Sequence, residues 1–325
     1  MRAIFFLILL PTLSVSGFAQ KPYWRDGEAS IPAFGGLDVR WVAPSTAIPD
    51  SVWIYRLLPN KFTPDIISNI TSLCSLTEKD KVNQSINGAT FKSRDRSRKL
   101  SIAFRSGSID YETAERQYSP SKLAEGVPTI SELSKLAIDF VTKAGIQLSE
   151  ITNPYATGGG AYSTPKFHFS EPLRIYYVGN NNITNIEYRT AKFWRCVDGM
   201  PVIGGDGGTI TFGEHGTIRS FSIKWQTLEG HQRLPTVTPE TAMKFLREGK
   251  AVQELIEGEI DWTAVKSVTI KKTSPLYYDG HSEWLWPFLG LVAVSKPSYG
   301  HTQFGIDCPI IDETKVSDGN SLPNQ

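Results

Sequence analysis

The stretch richest in chemistry-bearing residues runs from Tyr277 to Gly290. There Tyr277, Tyr278, Trp284, Trp286 and Phe288 flank Asp279, His281 and Glu283. Exposed rings of this kind stack on sugars or anchor a protein partner. With the two acids and the histidine they would make a carbohydrate or small-ligand site, or a hydrolase centre. The alternation argues the other way. Trp284, Trp286 and Phe288 share one face of a strand, and Leu285 and Leu289 share the other. Apolar side chains on both faces are the mark of a buried central strand.

A second candidate is the run from Asp198 to Trp225, with seven glycines in 28 residues. As a phosphate-cradling loop it fails, because it has no GxGxxG, no GxxxxGK and no following helix to face a phosphate. As a β-meander it reads well. Asp198-Gly199, Gly204 to Gly207 and Gly213 to Gly216 are turns. The strands between them alternate, as in Thr209-Ile210-Thr211-Phe212 and Phe221-Ser222-Ile223. Asp198 and Asp206 beside these turns could ligate calcium, but capping of the turns is the stronger expectation.

Other catalytic signatures are absent. There is no HExxH and no GxSxG, and the five histidines (His168, His215, His231, His281 and His301) are scattered without helical ligand spacing. No cofactor motif is present, so neither a cofactor nor a resident metal is expected. Cys74 lies on the apolar stripe of a predicted helix and is expected to be a buried thiol. That leaves Cys196–Cys308 as the expected disulfide, with three free thiols as the alternative. Sequons occur at Asn69, Asn83 and Asn182, the first inside a predicted helix.

Three helices must carry the rest. Thr63-Pro64-Asp65 opens the first, with Ile66, Ile67, Ile70, Leu73 and Leu76 at helical spacing. Thr129 and Glu132 form a capping box for the second, and Gly145 stops it. Thr238-Pro239-Glu240 opens the third. Alternating segments follow each helix: 89–92, 100–104 and 108–114, then 166–169, 173–178 and 186–225, then 265–271, 284–294 and 303–310. The order of one helix then antiparallel strands, three times over, predicts an α+β fold of tandem helix-plus-antiparallel-sheet units. The expected division is 1–19 signal peptide, 20–50 extended segment, 51–122, 126–232 and 235–313 as the three units, and 314–325 polar tail.

The N-terminus reads as a secretory signal. Arg2 precedes an apolar run to Val15, and Gly17 and Ala19 stand at the −3 and −1 positions of a cut. The competing reading is an uncleaved anchor. Of 34 basic residues Arg2 would be removed with the signal, leaving 33 against 33 acidic residues. A neutral chain offers no field for nucleic acid or an anionic membrane. The basic run Lys92–Lys99 is a local exception and reads as a solvated hairpin end.

The segments Val197 to Gly204, Gly208 to Phe212 and His215 to Ser220 resemble the propeptide region of thermolysin-type proteases. Residues 238–246 look like the opening helix of the PepSY module of such propeptides, and 277–309 like its closing strands. The resemblance covers roughly 186–310 and implies PepSY-like units outside the cytoplasm. Such modules inhibit an attached protease, or act in extracytoplasmic regulators. No protease domain follows in this sequence, so the implied partner is another exported protein, a protease or an envelope protein, met in trans. The resemblance transfers no catalytic residue.

Overall fold

The computed structural model describes residues 38–316, apart from 44–47, 61, 115–117, 157–161, 179–180, 249, 255–264, 266, 280–282, 296–301 and 313–314. The expected signal segment, His281, His301 and almost all of the polar tail lie outside the described residues.

The three helices form where their caps dictate. In α1 (Pro64–Leu73) the Thr63 hydroxyl accepts from the Ile66 amide. In α2 (Ile130–Lys143) Thr129 and Glu132 cap each other's backbone amides. In α3 (Pro239–Arg247) Thr238 accepts from the Thr241 amide. Each cap satisfies donors that the first helical turn leaves open. Gly145, just past α2, sits at φ +77°, a conformation that suits glycine. None of these helices is long and apolar enough to cross a membrane.

The expected set of tandem helix-plus-sheet units is not what forms. Seventeen strands pair into one mixed sheet with only three α-helices among the described residues. The sheet has two limbs, each with its own core.

The larger limb is antiparallel. Its order is β3 (Lys81–Ser85), β4 (Gly88–Lys92), β5 (Arg98–Ala103), β6 (Ser108–Thr113), β14 (Ile218–Lys224), β13 (Gly207–Phe212) and β11 (Arg189–Val197). Beyond β11 come β7 (Ile151–Thr152) and β8 (His168–Ser170). The pairing of β6 with β14 merges the first two expected units. Phe221 meets both Tyr111, at 5.4 Å between ring centres, and Phe140 of α2, at 4.8 Å. Helices α1 and α2 thus cover one face over a shared core. The units merge because β6 and β14 would each be an open edge alone, and pairing them satisfies both.

The second limb crosses the expected boundaries. Its centre is β18 (Trp284–Ser295), between β17 (Ser267–Tyr278) and β19 (Thr302–Pro309). Strand β2 (Ser51–Leu58), from the expected first unit, pairs with the start of β18 and along β15 (Thr227–Pro235). Strands β1 (Asp38–Trp41) and β12 (Met200–Ile203) run parallel to β17, and β16 (Val252–Glu254) flanks β19. Ala242 and Leu246 of α3 close this core. A separate hairpin, β9 (Leu173–Val178) with β10 (Asn181–Ile186), completes the described strands.

The basic run 92–99 is the turn between β4 and β5. Asp95 organises it by accepting from the Ser93 and Ser97 hydroxyls, and these bonds hold its carboxyl down at about 2. Sequon residue Asn69 lies within α1, where its Thr71 is buried and bonds to the Ser68 carbonyl.

Candidate functional site

The face of the larger limb opposite the two helices is open. Alternation puts Leu100, Ile102, Ile109, Tyr111, Ile210, Phe212, Phe221 and Ile223 into the core. The intervening residues point out, and the register lines them up in rows. One row runs Thr90, Ser101, Asp110, Ser222, Thr209, Lys192. The next runs Lys92, Lys99, Glu112, Ser220, Thr211, Thr190. Ser222 donates to Asp110 at 2.7 Å, and Lys99 pairs with Glu112 at 3.2 Å. A shallow depression of about 370 Å³ lies over the middle of these rows. The face therefore offers many hydroxyl donors and acceptors with charges of both signs.

The residues singled out for chemistry fall elsewhere, at the junction of the limbs. Tyr277 is fully buried, and its hydroxyl donates either to the Trp53 carbonyl at 3.1 Å or to Asp198 at 3.2 Å. Asp198, at φ +50°, also accepts from Tyr55 at 2.7 Å. Burial raises both tyrosines well above the usual range, and Asp198 adds to the effect. The turn that begins β12 is thereby tied to β2 and β17.

Asp206 and Asp279 are buried carboxylates, each paired with a cation. Arg195 donates to Asp206 at 2.6 Å and to the Gln226 carbonyl at 2.5 Å, and its guanidinium lies 4.8 Å from the Trp225 ring. Lys224 donates to Asp279 at 2.6 Å. Burial pushes the Asp206 carboxyl upward, against the pull of Arg195. Here the glycines find their purpose. A Cβ on Gly205 would sit 1.8 Å from an Asp279 oxygen and 2.7 Å from Lys224 Nζ, and Gly207 sits at φ +153°. The turn 204–207 is bare so that backbone can lie directly on an ion pair that spans both limbs.

The aromatic stretch is mainly core. Trp286 is 3% exposed, and its Nε1 has no acceptor among the described residues. Tyr278 is half-buried and meets Phe288 edge-on at 5.8 Å, and half-buried Trp284 meets His231 at 4.8 Å. Glu283 is exposed and lies 3.9 Å from Arg56. Tyr277 and Trp286 therefore present no ring to a ligand. Among the described residues no group of three or more His, Cys, Asp or Glu is placed to hold a metal ion.

The expected Cys196–Cys308 disulfide does not form, and all three cysteines are free. Cys308 points into the second core, where its thiol donates to the Ala242 carbonyl at 3.2 Å, while Cys196 lies at the end of β11. Burial raises the Cys74 and Cys196 thiols. Treatment of the folded chain with an aromatic disulfide reagent should modify Cys196 slowly and leave Cys74 and Cys308 untouched until denaturant is added. Two rapidly reacting thiols in the native state would contradict this placement.

Arg195 and Lys224 were not legible as partners, since each lies 11 and 55 residues from its acid. The open face had a signal, the Thr and Ser residues that alternate with core positions in 209–212 and 220–223. Its extent needed the pairing of β6 with β14.

No protein-family model matches the chain, and no curated protein matches it. Among solved structures, an uncharacterized protein from Eubacterium rectale ATCC 33656 is similar over 89% of this chain and 90% of its own, at 12% identity and a TM-score of 0.41. The C-terminal domain of YpeB from Bacillus megaterium is similar over 75% of this chain and 99% of its own, at 9% identity and a TM-score of 0.35. Likeness at this level assigns no activity and no family.

Proposed function

We propose that this chain is an exported, non-enzymatic binding protein that docks another exported protein on the open face of its larger limb. The observation that carries the reading is that face: six paired strands, one side packed under helices and the other left to solvent with ordered rows of Ser, Thr and charged side chains. Its hydroxyls and charges of both signs offer a polar polypeptide surface complementary hydrogen-bond and charge contacts. The buried acids support the non-enzymatic part, because Asp206 and Asp279 are each neutralised by a cation and shielded from substrate. The likeness of 197–220 to protease propeptide segments directs the search for a partner first to exported proteases and then to envelope proteins.

The test is capture by the tagged full chain from the secreted and envelope fractions of its own source. It is run beside Thr209→Arg/Ser222→Arg, which places two bulky cations on the face, and Asp139→Arg on the exposed side of α2. Retention of one stoichiometric protein by the parent and by the α2 variant, with at least tenfold less on the face variant, is the expected result. Equal retention by all three would overturn the docking face.

A further inference from the structure

A second concavity lies on the helix side of the sheet, about 450 Å³ in volume, between the C-terminal end of α1 and the turn that precedes β14. Its lining includes Cys74, Arg98, Tyr111, Tyr118, Glu214 and Arg219. The volume is in the range of small-molecule sites, roughly 300–1,000 Å³.

Among the described residues the charges in it are out of balance. Arg219 is flanked by aromatic rings, its guanidinium 6.0 Å from the Tyr118 ring and 5.0 Å from the Tyr188 ring. Among the described residues its Nη1 has no hydrogen-bond partner although it is shielded from water, and no carboxylate lies within ion-pair distance of the side chain. A buried donor without an acceptor is costly, about 1–3 kcal/mol and more for a charged group. The backbone accommodates this placement, because a Cβ on Gly213 would lie 2.9 Å from Arg219 Cδ. Arg98, across the cavity, donates to the Ser75 carbonyl at 2.9 Å; it forms no ion pair with a described carboxylate, although its charge is felt by Asp95 in the neighbouring turn. That bond offsets the partial negative charge at the end of α1, which would otherwise oppose an anion. The described lining holds one carboxylate, Glu214, which accepts from the Glu125 amide at 3.0 Å. Among the described lining residues, two guanidinium groups therefore face one engaged acid. Tyr111 contributes a further donor, its hydroxyl 3.4 Å from the Cys74 carbonyl, a long bond that a better acceptor would displace. Burial pushes that phenol up to about 12, so it keeps its proton at neutral pH.

We propose that this cavity binds the carboxylate or phosphate group of a small organic anion, with Arg219 as the principal contact and Arg98 and Tyr111 in support. Guanidinium groups are the side chains best matched to either oxyanion. The site lies on the opposite side of the sheet from the docking face and does not depend on it.

The experiment is isothermal calorimetry on the folded full chain with inorganic phosphate, phenyl phosphate and citrate, at low and at physiological salt. At least one probe should bind saturably, and the ranking of phosphate against citrate identifies the preferred oxyanion. Arg219→Gln should weaken that binding by at least about tenfold, and Glu214→Gln should tighten it. If Arg219→Gln does not fold, Arg98→Gln and Glu214→Gln decide, because they move affinity in opposite directions. Absence of saturable heat from all three probes overturns the proposal. So does binding that Arg98→Gln, Arg219→Gln and Glu214→Gln leave unchanged.

Discussion

Replacement of Asp206 by alanine should destabilise the protein by about 3–5 kcal/mol, the range for removing one partner of a buried ion pair. The carboxylate is 1% exposed, and Arg195, 7% exposed, would be left with the Gln226 carbonyl and the Trp225 ring as its remaining contacts. The loss reflects a stranded charge more than a lost attraction. The double variant Arg195→Met/Asp206→Leu should therefore be more stable than Asp206→Ala, since two buried charges vanish together. Urea unfolding of the three chains measures this. A single variant within about 1 kcal/mol of the parent would show that the pair is not buried as described.

Phe140→Ala should cost about 3–5 kcal/mol, as for other fully buried aromatics. Its wider effect tests the merging of the sheet. Phe140 belongs to α2, in the second expected unit, but it packs on Phe221, which stacks against Tyr111 of β6. Native-state hydrogen exchange on Phe140→Ala should thus show lower protection in β5 and β6 together with β13 and β14. Independent tandem units would confine the loss to the second of them, with β5 and β6 as well protected as in the parent.

The helices were legible because their signals are local. Thr63-Pro64, Thr129 with Glu132, and Thr238-Pro239 each act within one turn, and each cap forms as read. The central strand β18 was legible for a similar reason, since its apolar residues on both faces leave it no solvent side. The arrangement of strands was not, because pairing partners lie far apart in the chain. β2 finds β15 and β18 at least 169 residues away, and β6 finds β14 more than 100 away. Nothing in the alternation of Val52, Ile54 and Leu57 names those neighbours. The unit picture failed at this step, for it assumed that each helix keeps the strands that follow it.

The glycine-rich turns illustrate the same limit at the site. Turns were the right reading of 198–216, but what the turn at 204–207 wraps was invisible, because Lys224 and Asp279 come from two other strands. The acids flagged near it prove to be structural: Asp198 ties its turn to the second limb through two tyrosines, and Asp206 is paired with an arginine of the neighbouring strand β11. The disulfide expectation went wrong for a related reason. Strand membership alone placed Cys196 beside Cys308, while the fold turns Cys308 inward against α3.

The proposed function rests on the open face as the docking surface. The most direct measurement is site-specific photocrosslinking in the intact source cells, with the crosslinking residue placed in turn at Thr211, Ser220 and Ser222 on the face and at Asp139 on the outer side of α2. One shared adduct of defined mass is expected from all three face positions and none from Asp139. No adduct from the face, or the same adduct from Asp139, would contradict that function.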